Sequence, residues 1–556
     1  DKLIKGKSKK EILISTYLCH PQMANNELSG PLVWSSLYKI LKNTGPHEYS
    51  YRFLICPENI GSAAFLHYSK KKVKNVIAGF VINCVGYGKE FTYRYLDERS
   101  DEIASFLLGN ESDLNEERIG LLVRPDIHYV VALWGIWKSG AIAVPLSLSA
   151  KGSELDHYIS DSNISLIISS NNCEEQKNIP QKNSIDIENI ENINATECMS
   201  LPTLSNDRKA MIIYTSGTTN KPKGVMTTHG NIEAQITALV EAWKWTKDDH
   251  IPLILPLHHI HGIINSLCCP LYVGAKVSML GGFNLDKVCK EISQSDYTVF
   301  TAVPTIYFSL IEKLEETNDE EIFNGFKRLR LMMSGSAALA PEIHKKWEKL
   351  TSQKILERYG MTEVGMALSN KIDGERRPGA VGEPLPNVEI KLEDENGNEI
   401  MEEGEIGQIL LKGPQVFIGY QNLPEKTQAS FKDGWFLTGD VAVMENGYYR
   451  LLGRDSIDII KSGGYKISAL EIEDVLLKHK NVKECAVVGK DDNKWGEIVV
   501  AAIIPKNKTI SEEEVQNWCS KYLSDYKIPR MIKFLDGLPK NSMGKVTKKE
   551  LKNIFS

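Results

Sequence analysis

The chain has 556 residues, 42% of them hydrophobic and 25% charged, with a net charge of −6. That length exceeds what one hydrophobic core serves and predicts two or three globular domains. The acidic balance argues against a general nucleic-acid binder and against a polybasic membrane anchor. The 10 cysteines are scattered, with no C-x-x-C pair. Neither a disulfide framework nor a zinc finger is therefore indicated, and a reducing cytoplasmic home is predicted. No apolar run reaches transmembrane length, and the stretch from Asp1 to Lys7 has no signal-peptide apolar core. Opening without Met, the chain reads as a fragment or a trimmed product.

Residues 1–89 read differently from the rest. Glu11–Ser15, Tyr51–Cys56 and Val76–Asn83 are apolar runs of strand length. His20 and Glu58 fall at strand ends, and imidazole with carboxylate suits zinc. The segment resembles the first part of an aminopeptidase-like domain of the co-catalytic zinc type. In that family a bridging acid is expected where this chain has Asn26, and the likeness stops near Tyr93 before the later ligands. The resemblance thus implies a partial α/β segment without metal, with a zinc peptidase as the remote alternative.

From Phe91 the pattern changes. Arg118–Val123, the apolar segment Ile127–Trp137 and Ala141–Pro145 spell strand, helix and strand, one βαβ unit. Leu166–Ser169 is a further strand. Residues 171–208 have no sustained period and read as a surface excursion. Ala210–Tyr214 is a buried strand that runs into Thr215-Ser-Gly-Thr-Thr-Asn-Lys-Pro-Lys-Gly224. Backbone N–H groups, hydroxyls and lysines concentrated in such a loop suit a polyphosphate, although no Walker A pattern threads it.

Four further stretches follow. Leu257–Gly262 holds His258, His259 and His261, which diverge on a turn and make a poor zinc site. Leu329–Leu339 is a strand entering the small-residue loop Gly335-Ser336-Ala337, against which a flat base could lie. Glu357–Glu363 (E-R-Y-G-M-T-E) supplies a hard carboxylate suited to Mg²⁺. Residues 388–454 are β-rich, with Asn396-Gly397 and Asn446-Gly447 as hairpin signals. Within them Asp440 and Arg454 stand about one hairpin apart, and a carboxylate chelates a ribose diol well. A small α/β domain follows, opening with Ser462-Gly463-Gly464-Tyr465 and a helix from Ala469 to His479, and closing with Pro539–Lys545.

Taken together, these strings resemble the adenylate-forming superfamily of acyl-CoA synthetases, adenylation domains and luciferases, over residues from about 90 to 556. The resemblance implies an α/β fold: a large adenylation domain at 90–454 that includes a β-rich subdomain, and a small mobile domain at 455–556. It implies ATP, Mg²⁺ and coenzyme A as cofactors and a small carboxylic acid as substrate. By the same resemblance Thr215, Ser216, Gly217, Thr218, Thr219, Lys223 and Thr362 hold phosphates, and Glu363 holds the metal. Gly335, Ser336, Ala337, Tyr359 and Gly360 frame the adenine, and Asp440 with Arg454 the ribose. Asp455 is the hinge, Lys545 the mobile catalytic lysine, and His258 or His261 the imidazole beside the substrate carboxylate. Gly463 and Gly464 leave room for pantetheine.

Within the superfamily the strings Leu255–Gly262, Glu357–Asn370 and Arg376–Gly382 look most like malonyl-CoA synthetases. The second carboxylate of malonate calls for an arginine fork, and that family's pattern points to Arg376 or Arg377. A fatty acyl-CoA ligase and a carrier-loading adenylation domain are the alternatives.

Overall fold

The computed structural model describes the chain apart from residues 1, 18–29, 57–73, 82–89, 151, 180–184, 195–199, 216–221, 456, 464, 493, 507–509, 541–545 and 556. Two compact units are present, Asp1–Thr92 and Tyr93–Ser556.

The first unit is a four-stranded sheet ordered Lys2–Ile4, Ser50–Cys56, Glu11–Tyr17, Val76–Val81, antiparallel at the first pair and parallel beyond. Phe53 is fully buried, with Trp34 and Tyr38 of the helix Gly30–Asn43 edge-on to it at 5.3 and 5.2 Å. Such T-shaped pairs favour the ring quadrupoles and anchor the helix to the sheet. Beside them Arg52 meets Glu11 through a two-bond fork, so a buried charge is answered in place. His20, Asn26 and Glu58, on which the zinc reading turned, lie outside the described residues.

The second unit is a mixed α/β structure with a large N-terminal and a small C-terminal part. Its first sheet has seven strands in the order Gly419–Tyr420, Lys223–Thr228, Lys209–Thr215, Ile142–Pro145, Arg118–Leu122, Leu166–Ser169 and Asp186–Asn189. The helix Ile127–Lys138 joins two of its parallel strands and starts where the Asp126 side chain accepts the His128 N–H. Residues 171–208, read from sequence as an excursion, supply the edge strand Asp186–Asn189. Four residues are too few to show a period, which is why the sequence hides it.

A second sheet orders Val299–Ala302, Leu331–Ser334, Leu356–Met361, Gly365–Ser369 and Glu383–Pro384, its first three strands parallel. The helix Pro304–Thr317 is fixed by aromatic packing, with Tyr307 and Phe326 meeting fully buried Trp347 edge-on at 5.1 and 4.9 Å. The Tyr307 hydroxyl donates to the Met333 carbonyl at 2.9 Å, tying that helix to the strand that ends at Ser334.

The β-rich part centres on the long strand Trp435–Glu445, which turns back as Tyr448–Arg454. Asn446 and Gly447 both take positive φ, 51° and 77°, as the tight turn requires. The small C-terminal sheet orders Tyr465–Ser468, Ile459–Ser462, Gly496–Pro505 and Val482–Asp492, with Met531–Phe534 parallel to Gly496–Pro505. Its helices include Ala469–Leu477, capped by Ser468, and Lys548–Phe555. Among the described residues no helix is long and apolar enough to cross a membrane.

Candidate active site

The loop expected to hold the phosphates is entered from the strand Lys209–Thr215 and left by Lys223–Thr228, which pair antiparallel with Thr215 opposite Lys223. Ser216, Gly217, Thr218 and Thr219 lie outside the described residues. Lys223 stands at the mouth of this hairpin, its ammonium 4.5 Å from the centre of the Tyr420 ring. Burial, with help from nearby Lys426, lowers its pKa. A partly desolvated ammonium gains from an arriving anion.

Tyr420 connects the loop to the expected metal ligand. Its hydroxyl donates to Oε1 of Glu363 at 2.9 Å, and Glu363 is buried. Burial pushes the Tyr420 hydroxyl well above its ordinary pKa, with the Glu363 charge adding to the shift. The phenol therefore stays a donor at every physiological pH. Mg²⁺ keeps several waters and takes only one or two protein carboxylates beside substrate phosphates. One buried carboxylate, oriented by a phenol and near Lys223, fits that demand. Bound there, the ion would offset negative charge on the phosphate oxygens.

The pair expected to hold the ribose is direct in register: Asp440 faces Arg454 across the hairpin. Arg454 Nε donates to Asp440 Oδ1 at 3.1 Å, and the Tyr359 hydroxyl donates to Oδ2 at 2.5 Å. Asp440 thus joins the β-rich sheet to the strand Leu356–Met361. Thr362 and Glu363 follow that strand, in the turn to Gly365–Ser369. Gly360 admits no side chain, since a Cβ would come within 2.1 Å of the Gly365 carbonyl oxygen.

After Ser334 the chain turns through Gly335, Ser336 (φ 68°) and Ala337, the first buried and the next two exposed. His261 reaches this turn: its Nδ1 lies 3.1 Å from Ser336 Oγ and its Nε2 2.8 Å from Thr301 Oγ1. His258 lies in the same His-rich segment, stacked obliquely on His259. Burial drops its pKa to about 4, so it is a neutral imidazole at pH 7.

The two arginines expected to meet a second carboxylate both have partners within the protein. Arg376 donates to the carbonyls of Lys354 and Ile372. Arg377 pairs with Glu375 at 2.8 Å and lies 4.0 Å over the Tyr448 ring.

A different guanidinium stands open. Arg358 is 3% exposed, yet Nε, Nη1 and Nη2 have no hydrogen-bond partner. It lies under the turn at Gly335, where a Cβ would stand 2.1 Å from Nη1. Gly335 is required here by an arginine as well as by any base above it. Burial pushes the Arg358 pKa down to about 9. An unpaired buried charge is costly and favours an anion that would neutralise it. The signal was present in the sequence, as a charged residue inside an otherwise buried strand.

Gly463 takes φ 58°, donates its N–H to the Trp495 carbonyl, and leaves no room for a Cβ beside the Trp495 ring. Gly464 and Lys545 lie outside the described residues.

The sequence profile of the AMP-binding enzyme family matches residues 71–421, and that of its C-terminal domain matches 471–545. The chain belongs to the AMP-binding enzyme family. A profile for a domain of unknown function (DUF4910) matches residues 1–117. Malonate–CoA ligase ACSF3, mitochondrial, of Bos taurus is 41% identical over 491 residues, 81% of this chain and 84% of the relative. ATP-bound MatB from Rhodopseudomonas palustris overlays with a TM-score of 0.77 at 31% identity, covering 84% of this chain and 94% of that one. A malonyl-CoA ligase ternary product complex with methylmalonyl-CoA and AMP bound overlays at 0.59 and 34% identity, covering 80% and 94%.

As a member of this family the chain is an AMP-forming acid–thiol ligase. It uses ATP, a carboxylic acid and coenzyme A, and it passes through an acyl adenylate. The large and small parts of the second unit are those of the adenylate-forming fold.

Proposed function

We propose that the acid is malonate or a closely related short dicarboxylate. The observation that carries this reading is Arg358, a buried guanidinium without a protein acceptor, set beneath Gly335 and one residue before Tyr359. A monocarboxylate with an apolar tail would leave that charge unanswered. The distal carboxylate of malonate would answer it with a fork of two hydrogen bonds. The names of the relatives point to the same substrate.

In this reading the proximal carboxylate oxygen attacks the α-phosphorus of ATP. An O–P bond forms, and the bond to the bridging oxygen breaks as pyrophosphate leaves. Lys223 neutralises charge on the phosphates, and Glu363, oriented by Tyr420, is the carboxylate that would hold Mg²⁺. Tyr359, Asp440 and Arg454 fix the nucleoside, and His261 orients the acid from the Ser336 side. Holding two anions in line is most of the catalytic work, because positive groups arranged beforehand cost no reorganisation during the reaction. Lys545 adds its charge for this step. Coenzyme A thiol then attacks the acyl carbon, the bond to AMP oxygen breaks, and the thiol proton leaves to solvent. Gly463 and Gly464 admit the pantetheine.

Pyrophosphate release, screened over malonate, methylmalonate, succinate, acetate and propionate with and without coenzyme A, tests the assignment. Malonate is expected to lead by at least an order of magnitude. A preference for acetate or a longer monocarboxylate would overturn it, and acyl transfer only to a carrier protein would favour the adenylation-domain alternative. The free thiols of Cys268, Cys269 and Cys289 fit a reducing compartment, and we infer the cytoplasm. Fractionation that finds the protein in mitochondria would move it.

A further inference from the structure

The small domain holds a buried charge cluster that the nucleotide site does not use. Lys548, at the start of the helix Lys548–Phe555, has its ammonium 2.7 Å from Oδ1 of Asp458 and 2.7 Å from Oε1 of Glu473. All three side chains are less than one-fifth exposed. Glu473 also accepts the Val487 N–H at 2.7 Å, so its carboxylate joins two helices and a strand.

Asp458 reaches further. Its other oxygen accepts the main-chain N–H of Arg454 at 3.0 Å, and its own N–H returns to the Arg454 carbonyl at 2.7 Å. Gly453 takes φ 116°, and a Cβ there would stand 2.2 Å from the Asp458 Cβ, so the two segments touch without a gap. Arg454 in turn holds Asp440. One carboxylate therefore has one oxygen on the small-domain lysine and the other on the strand that carries the ribose pair. The link spans Asp455, the residue expected to be the hinge.

We propose that Asp458, held by Lys548, is a positioning residue for the adenylation half-reaction. It locks the small domain to the Arg454 strand in the arrangement seen here. A hydrogen bond to a charged acceptor is worth more than a neutral one, and this acceptor is largely shielded from water. Rotation at Asp455 must break or strain the bond to Arg454. The cluster would favour the first arrangement until pyrophosphate leaves. The inference rests on the nucleotide site proposed above and is independent of which acid is used.

The test separates the two half-reactions. Asp458→Asn keeps the volume and leaves Lys548 paired with Glu473. The amide cannot offer an oxygen both to Lys548 and to the Arg454 N–H, so the link is lost. Pyrophosphate exchange should fall about ten- to a hundredfold, the worth of a charge-assisted hydrogen bond. Thioester formation from supplied acyl adenylate and coenzyme A should change by less than about twofold. Lys548→Met should show the same split if it folds, and Asp458→Asn alone decides the matter if it does not. Unchanged exchange in Asp458→Asn overturns the inference, and so does an equal loss in both half-reactions, which is what a merely structural residue would give. If Asp440→Ala also left the KM for ATP untouched, the nucleotide-site reading itself would fall. A normal Asp458→Asn beside a damaged Asp440→Ala would sink only the link.

Discussion

Gly335 lies against the guanidinium of Arg358, with so little room that a methyl group at 335 would overlap Nη1. The glycine is on the loop expected to face adenine, and the arginine is on the neighbouring strand, pointing underneath. In the proposed site one residue would therefore bear on nucleotide and acid alike. Gly335→Ala should displace Arg358 and lower kcat/KM for malonate more than it raises the KM for ATP. Steady-state kinetics with each substrate varied in turn would show it. A change in the KM for ATP alone would mean the arginine has no part in acid binding.

Arg358→Met removes a charge that has no protein partner. Losing half of a buried ion pair costs on the order of 3–5 kcal/mol, which corresponds to roughly a hundred- to thousandfold in kcat/KM for malonate. Activity on propionate should hold or rise. The ligand-free variant should melt higher than the wild type, because an unanswered buried charge has been removed. Malonate should raise the melting temperature of the wild type and not of the variant. Arg376→Leu and Arg377→Leu, whose parent side chains bind carbonyls and Glu375, should keep the malonate preference.

Tyr420→Phe takes the donor from Glu363 and leaves everything else in place. Outer-shell partners of this kind are worth about 10–100-fold in metal affinity or activity. The Mg²⁺ concentration for half-maximal rate should rise within that range, while saturating Mg²⁺ restores most of kcat. An unchanged Mg²⁺ titration would remove Glu363 from the metal role.

His258 makes an acid-stability prediction. Its folded pKa, about 4, lies below the 6.5 of the free side chain because burial disfavours the cation. The unfolded chain then binds a proton that the folded chain refuses. The contribution to stability is full above pH 6.5 and is lost as pH falls from there towards 4. His258→Gln should flatten the decline in melting temperature across that window. An identical slope would place the imidazole in solvent.

A chain beginning at Phe91 should keep ligase turnover, because the first unit has its own core around Phe53. Metal analysis of the full chain should find no zinc. Stoichiometric zinc that disappears in His20→Ala would restore the peptidase alternative.

The sequence makes the frame legible because its signals are local. A buried apolar run before Thr215 becomes the strand Lys209–Thr215, and Asn446-Gly447 becomes a tight turn with positive φ at both residues. The meeting of Asp440 with Arg454 is legible too, since a hairpin of known length fixes register. What stays hidden is the direction of side chains set by other segments. Arg376 and Arg377 look available in sequence because Lys354 and Tyr448, which occupy them, are distant in the chain. Arg358 looks like one more polar residue of the string Glu357–Glu363 until its strand is seen to bury it. The edge strand Asp186–Asn189 depends on a neighbour for its hydrogen bonds, and four residues cannot advertise that dependence.

The two-residue strand Gly419–Tyr420 does more than carry the phenol. It pairs with Val225 and Met226 on the outer side of Lys223–Thr228, closing an edge that would otherwise present free N–H and C=O groups to other chains. Substitutions that loosen Tyr420 would then uncover a template for intermolecular strand addition. Variants found inactive at this position should be assayed for solubility as well as turnover. A loss of active protein during expression would come from the same short strand whose tyrosine holds Glu363, so a substitution at Tyr420 would bear on the carboxylate and on the sheet edge together.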